Sequence, residues 1–471
     1  MGTTLVLLGI YGALLVGAGA WASRRVTGSG DFFVASRSLP GGLVFATLLA
    51  ANIGAGSTVG ATGLGYRYGL SAWWWSGSAA IGCLVLGLFV APRLHRLAAA
   101  HGFFTVGDFL EWRFDRSVRV LISAILWLGT LSLLAGQLIA MAWAFEVIAG
   151  MPRAAGALLS ALVLVAYFSG GGLLASAAVN LVQLLTLLIG FALALPFAWR
   201  AAGGWDALAS AGGPAAADYG GLGGMGLAGV LGLVVVFVPS FIASPGLIQK
   251  TFGARTAESA RRAVLGNAVA LAAFALVPAV LGMAMRRLEP GLSHPELALP
   301  RLTTDVLPPW VGALALAALF AAEISTADAV LFMLSTSLSR DLYQALVRPA
   351  ADDRALLRVG RASALAGGVL AVVLALLLPS VASALVLFYG VMTAALFVPL
   401  MAGLFSTRPR AGHARLAIVV SVVLTAGLRL ALGAAGAGAW LPAVAGMLGG
   451  GVVFASAWVR PAISTNDIAG R

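Results

Sequence analysis

Long apolar runs alternate with short polar, arginine-bearing connectors along the whole chain. About 20 apolar residues cross a bilayer as a helix. On that rule the pattern predicts thirteen spans, at 4–22, 42–63, 70–92, 118–149, 154–169, 173–198, 226–249, 262–285, 309–338, 357–378, 381–406, 414–434 and 440–459. Run 118–149 exceeds a bilayer and must tilt or protrude. Run 42–63 begins as good helix and then meets Asn52, Gly54, Gly56, Ser57 and Thr58 in its middle. Glycine costs a helix interior about 1 kcal/mol against alanine, so this composition predicts local unwinding. Unwound backbone survives in hydrocarbon only where it lines a protein cavity, and broken helices are where secondary transporters bind solute and ion. The same small residues would also suit a helix-packing face. Run 226–249 is interrupted too, by Pro239, Ser240, Ser244, Pro245 and Gly246. It lies five spans after the first break, so two such halves would have opposite topology. Two unrelated proline kinks would read the same way.

Composition places the chain in a bilayer. Its 471 residues are 61% hydrophobic and 10% charged, against about 25% charged in a soluble domain. The net charge of +12 invites a nucleic-acid reading until it is mapped. With the N-terminus outside, 22 of the 29 basic residues fall on inside loops and seven outside, the pattern of the positive-inside rule. The charge therefore reports topology, N-terminus out and C-terminus in, across a cell (inner) membrane, and no nucleic-acid partner is expected. Lys250 and Arg119 are counted among the inside-loop residues, and Glu111 and Glu146 as solvated near span ends. The run 4–20 has no basic residue before it and is followed by Arg24 and Arg25, so it is expected to be a retained helix rather than a signal peptide. Cys83 stands alone, and the four histidines fall in or beside loops, which speaks against a disulfide framework and against a haem or zinc enzyme in the bundle. Residues 99–114 read as an amphipathic cytoplasmic helix beginning near Thr105, 287–308 as an ordered external loop, and 203–224 as a flexible one.

Four sets of residues carry a family resemblance. They are Ala50-Ala51-Asn52-Ile53 with Gly60, Gly65-Tyr66 and Gly69; Thr105-x-x-Asp108-Phe109-Leu110-x-x-Arg113-Phe114; Gln249-Lys250-Thr251-Phe252-x-Ala254-Arg255; and Ala322-Glu323-Ile324-Ser325-Thr326-Ala327-Asp328 with Asp341-Leu342-Tyr343. In order and spacing, from about residue 31 to 406, they resemble the sodium:solute symporter family, the relatives of the sodium–glucose, proline, sialic acid and pantothenate symporters. The resemblance implies an all-α, leucine-transporter-type fold with a 5+5 inverted repeat, one extra N-terminal helix and two extra C-terminal ones. Its parts would be 1–40, the repeats 41–200 and 226–406, an external linker 201–225, and the C-terminal segment 407–471.

Carried over residue by residue, the family's sodium site falls on the carbonyls of Ala50, Ile53 and Ala322 and the hydroxyls of Ser325 and Thr326. Unwinding frees helix carbonyls, and Ala322, Ser325 and Thr326 share one helix face. On the residues alone, Ser325 and Thr326 could equally bond back to their own helix. For the solute, the pattern points to Asn52, Gly54, Ser57, Trp75, Gln137 and Ser244, with the half-helix near Ser57 offering free amides. Gln137 fits an interhelical hydrogen bond as well as a solute contact. Sugar-transporting relatives carry a large polar residue at the Ser57 position, so a compact organic acid or amino acid is favoured over a sugar.

Where many relatives have an aspartate, which in some of them binds a second sodium, this chain has Asn180, while Asp328 appears on the facing helix beside Ser325, with Ser176, Asn180 and Gln183 opposite. Either Asp328 and Asn180 hold a second cation, or Asp328 exchanges a proton, or it is a structural acid. Glu323 and Asp328 point about 140° apart at 100° per residue and cannot serve one ion together. The expected function is sodium-coupled symport of a small organic solute by a protein acting as a monomer. The rival is a solute sensor of transporter architecture, disfavoured because eleven residues follow 460.

Overall fold

The computed structural model describes residues 34–168, 172–212, 218–433 and 440–459, with positions 9, 12, 13 and 17. The expected first span at 4–22, Arg24, Arg25 and the tail after 459 lie outside the described residues. Among those described, the named elements are all helical. Among the described residues, nine helices are long and apolar enough to cross a membrane, and Gly41–Asn52, Arg153–Ala166 and Leu441–Ala457 are shorter apolar helices. Helix Arg116–Ala149 has 34 residues, or about 50 Å at 1.5 Å per residue, and so does overrun the bilayer. The run expected to stop at 92 continues as helix to His101.

The spans sort by enclosure. In Pro309–Gln344, 89% of the most apolar window is buried, against 17% in Ala411–Leu432. The helix that carries Ser325, Thr326 and Asp328 is thus the centre of the bundle, packed along Gly172–Ala201, Arg116–Ala149 and Gly41–Asn52. Helices Ala61–Tyr68 and Leu276–Leu288 meet backbone to backbone. A Cβ on Gly65 would stand 2.5 Å from the Ala279 carbonyl oxygen, and one on Gly282 would stand 2.2 Å from that of Thr62.

At one end of the bundle the short helix Val106–Arg113 starts on a capping box of Thr105 and Asp108, where the amphipathic helix was expected. It is latched to the central helix by Arg119, which pairs with Asp108 at 2.9 Å, Glu111 at 2.6 Å and Asp341 at 2.9 Å. Arg119 is therefore a buried member of a long helix and not a loop charge, and Glu111 is ion-paired and not merely solvated. His95 is likewise inside helix Ala91–His101, buried, with its Nε2 2.9 Å from the Ala254 carbonyl oxygen. Burying these groups is tolerated because each has a partner.

The loop expected to be flexible is anchored where it is described. It contains helix Trp205–Ala209, and the buried Tyr219 donates its hydroxyl to the carbonyls of Gly65 at 2.8 Å and Tyr66 at 3.0 Å. In the 287–308 loop, the buried Glu296 accepts from Trp143 Nε1 at 3.1 Å and from the Ala382 amide at 3.3 Å, at the first turn of helix Val381–Val391. Burial pushes its carboxyl above the ordinary glutamate range, and the amides of Val381 and Ala382, Trp143 and the charge of Arg153 oppose that shift.

Candidate functional site

The first break follows from one missing turn. Helix Gly41–Asn52 makes its last bond from Ile53 N to Leu49 O at 3.0 Å, and Ile53 is extended at φ −100, ψ 94. The chain resumes as a wider, π-type turn at Gly56–Gly60 and then as helix Ala61–Tyr68. In an unbroken helix the Ala51 carbonyl would accept from the Ala55 amide. Here Gln137 Oε1 takes that amide, at 2.9 Å. The freed carbonyls turn to the central helix. Ser325 Oγ lies 2.9 Å from Ala50 O and 3.0 Å from Ala322 O, and Thr326 Oγ1 lies 3.3 Å from both Ala50 O and Ala51 O.

Five oxygens from residues 275 positions apart thus converge in a buried pocket. All are hard, neutral donors, a set that suits an alkali cation and not a soft metal. Four of them belong to the residues expected for sodium. Ala51 is an addition, and Ile53 enters as the residue whose backbone leaves the helix. Gly54 keeps the approach open: a Cβ there would stand 2.3 Å from Thr326 Oγ1 and 2.8 Å from Gln137 Oε1.

Beside this cluster is a cavity of about 20 Å³ lined by Asn52, Gly54, Gly56, Ser57, Trp75, Gln137 and Thr326. That space holds about one water, too little for an organic solute. The expected residues are partly engaged already. Asn52 Nδ2 donates to Asn267 Oδ1 at 3.1 Å, and Ser57 Oγ donates to Asn52 O at 2.8 Å. The amides of Ala55 and Thr58 are used internally, by Gln137 and by Gly54 O, so the half-helix offers fewer free donors than expected. Ser244 is off the cavity. It caps helix Pro245–Phe252, where Pro245 takes the first position.

The second broken helix instead contributes Phe237 and Phe241, which with Trp75 and Tyr389 form a chain of ring contacts at 4.6 to 6.3 Å between centroids. Their i, i+4 spacing was the signal available in the sequence. The interruption expected at Pro239 and Ser240 is absent, because helix Gly226–Ile242 runs through both, and Ser240 locks this helix to its neighbour through Tyr389 O at 2.6 Å and Thr393 Oγ1 at 2.7 Å.

The two carboxylates face different surroundings. Glu323 Oε1 accepts from Thr58 Oγ1 at 2.8 Å, and its Oε2 has no hydrogen-bond partner among the described residues. Asp328 accepts from Ser176, which in turn accepts from Asn180 Nδ2 at 3.1 Å, so Ser176 stands between the two residues expected side by side. Asn180 Oδ1 and both polar atoms of Gln183 are buried without partners among the described residues. Lys250 is not on a loop. It is buried in helix Pro245–Phe252, donates to Thr47 O at 3.0 Å, and lies close enough to Asp328 for the two charges to attract.

An all-helical bundle with a central broken helix, a buried alkali-type oxygen cluster and a small adjoining cavity has the architecture of a membrane transporter. A profile of the sodium:solute symporter family matches residues 32–420. The chain belongs to the sodium:solute symporter family. It is 26% identical over 458 residues to the sodium/glucose cotransporter of Vibrio parahaemolyticus, covering 89% of this chain and 83% of that one. It is 28% identical over 434 residues to the sodium/pantothenate symporter of Escherichia coli (strain K12), covering 88% of each. A solved structure of a Na+-coupled sialic acid symporter, substrate-bound and outward-open, superposes with a TM-score of 0.80 at 19% identity over 97% of this chain and 98% of that one. A nucleobase-cation-symport-1 family transporter, Mhp1, gives 0.58 at 15% identity over 92% and 96%. The chain is thus a multi-pass, sodium-coupled symporter of a small molecule, and a transporter rather than an enzyme.

Proposed function

We propose that the protein moves a compact organic acid or amino acid, in preference to a sugar, together with sodium held by Ala50, Ile53, Ala322, Ser325 and Thr326. The observation that carries the reading is the convergence of Ser325 and Thr326 on the carbonyls released at the first break. The solute would bind beside it, against Asn52, Gly54, Ser57, Trp75 and Gln137. The cavity lining has no charged side chain and four aromatic rings. Aromatic faces attract ammonium groups, which within the proposed class favours an amino acid over a bare acid. Thirteen spans in a leucine-transporter-type 5+5 repeat, oriented N-out and C-in across an inner membrane as a monomer, complete the proposal. Opposite rocking of the two halves then opens the site to one side at a time.

Asp328 with Asn180 is the proposed place of a second coupling cation, a sodium or a proton. The unpartnered oxygen of Asn180 and the unpartnered amide of Gln183 support a polar guest there, and Lys250 is the competing countercharge. The test is a thermal-shift screen of the purified protein against a solute library, in sodium and in choline, followed by counterflow of the labelled hit in proteoliposomes. A hit that stabilises equally in both salts refutes the coupled site. A hit that binds without counterflow makes the protein a sensor.

A further inference from the structure

A cavity of about 620 Å³ opens where helices Ala91–His101 and Val106–Arg113 meet the end of helix Phe397–Phe405. Arg93, Arg96, Arg113 and Arg408 line it, with Trp112 and Phe405, and its lining contains no carboxylate. Arg113 is the buttress. It donates to the carbonyls of Gly403 at 3.1 Å, Ser406 at 2.7 Å and Pro409 at 3.0 Å, and so shapes the far wall.

The other three guanidinium groups are exposed and form no ion pair among the described residues. Arg93 lies over the Phe405 ring at 5.1 Å, and Arg96 Nε donates to Pro92 O at 3.1 Å. Their terminal nitrogens remain available. Four like charges around one concavity repel each other and focus a positive potential into it. An anion relieves that repulsion, and phosphate oxygens match the guanidinium fork.

Position selects the source of the phosphate. Arg93 and Arg96 belong to the membrane helix Gly56–His101, and Val381–Phe405 ends at Phe405 itself. Phe405 and Trp112 are 51% and 49% exposed at the rim, as aromatic side chains are at headgroup depth. Basic pockets between the ends of membrane helices recognise anionic headgroups. We propose that this cavity binds the phosphodiester headgroup of an anionic phospholipid, held by Arg93, Arg96 and Arg408, with the acyl chains leaving past Phe405. The headgroup would tie together two spans that the chain itself connects only through distant loops.

The test uses the full-length protein in mixed micelles, titrated with phosphatidylglycerol or phosphatidylcholine and followed by native mass spectrometry and thermal stability. Phosphatidylglycerol should be retained selectively from an equimolar mixture. With each arginine worth about fivefold at an anionic surface, Arg408→Ala should weaken retention roughly fivefold, and Arg96→Ala with Arg408→Ala roughly 25-fold. Arg408 sits on a loop, so its single variant keeps the proposal testable if the double variant folds poorly. Equal retention of the two lipids, or unchanged retention by Arg408→Ala, overturns it. Inorganic phosphate and glycerol 3-phosphate form the soluble arm. If either stabilises the protein as strongly as phosphatidylglycerol and loses that effect in the same variants, the ligand is a soluble phosphate and the lipid assignment is wrong.

Discussion

Replacing Ser325 with alanine removes one of the oxygens that meet at the first helix break. Its hydroxyl lies 2.9 Å from Ala50 O and 3.0 Å from Ala322 O. A hydrogen bond between membrane helices contributes only about 0.6 kcal/mol on average, so the fold should survive. With sodium at the proposed site the same oxygen would face a buried charge, and contacts of hydrogen-bonding groups with charges are worth about 1.5–3 kcal/mol. At a factor of ten per 1.4 kcal/mol, the Kd for sodium should rise roughly 10- to 150-fold. The assay needs no solute. Sodium at a hundred times its Kd stabilises the wild type by about 2.7 kcal/mol, and the same concentration stabilises a tenfold weaker variant by about 1.4 kcal/mol. Thermal melts across a sodium series, with choline holding ionic strength constant, read this directly. Thr326→Ser, which keeps its hydroxyl, should stay near wild type, whereas Thr326→Ala should follow Ser325→Ala. If Ser325→Ala and Thr326→Ala both keep the wild-type sodium dependence, the ion is not bound by these hydroxyls.

Gly54→Ala places a Cβ 2.3 Å from Thr326 Oγ1. Overpacking of that kind costs about 1–3 kcal/mol, and the variant should lose its sodium response along with stability; a wild-type response would show that Gly54 is not the contact that sets the site. For Asp328→Asn, reversal potentials in proteoliposomes should show fewer charges moved per solute than in wild type, and an unchanged ratio with unchanged pH dependence makes Asp328 structural. Glu296 gives a pH signature outside the spans. Because burial raises its folded pKa, its favourable contribution is fully present below the ordinary glutamate value of about 4.3 and is lost as pH rises through the raised value. The melting temperature of the wild type should therefore fall relative to Glu296→Gln over that window, and parallel curves would contradict the assignment.

The apolar runs alone determined that this is a membrane bundle, and they placed helices close to where they are seen. The thermodynamic demand is local: a run of apolar residues in hydrocarbon must satisfy its backbone within itself. Both breaks were legible for the same reason, since Asn52, Gly54 and Gly56 in one run and Pro245 in the other cannot continue a helix cheaply, although the second run stays helical through Pro239 and breaks only at Ala243 and Ser244. The family motifs carried the residues proposed for sodium. What the chain order could not decide is which partner each polar group finds. Asn52 turns to Asn267, Gln137 to the Ala55 amide, Lys250 to Thr47, and Arg119 to three carboxylates. Apart from Asp108 and Glu111, those partners lie 82 to 222 residues away, and a buried polar group is positioned by whichever partner the packing brings within about 3 Å. Ser244 shows the converse. Its sequence position beside a break suggested a solute contact, but the chain direction after Pro245 turns it into a helix cap, and the aromatic residues one and two turns earlier take its place. Periodicity thus settles the helices, while the meeting of Ser325 with Ala50, 275 residues apart, exists only once they are packed.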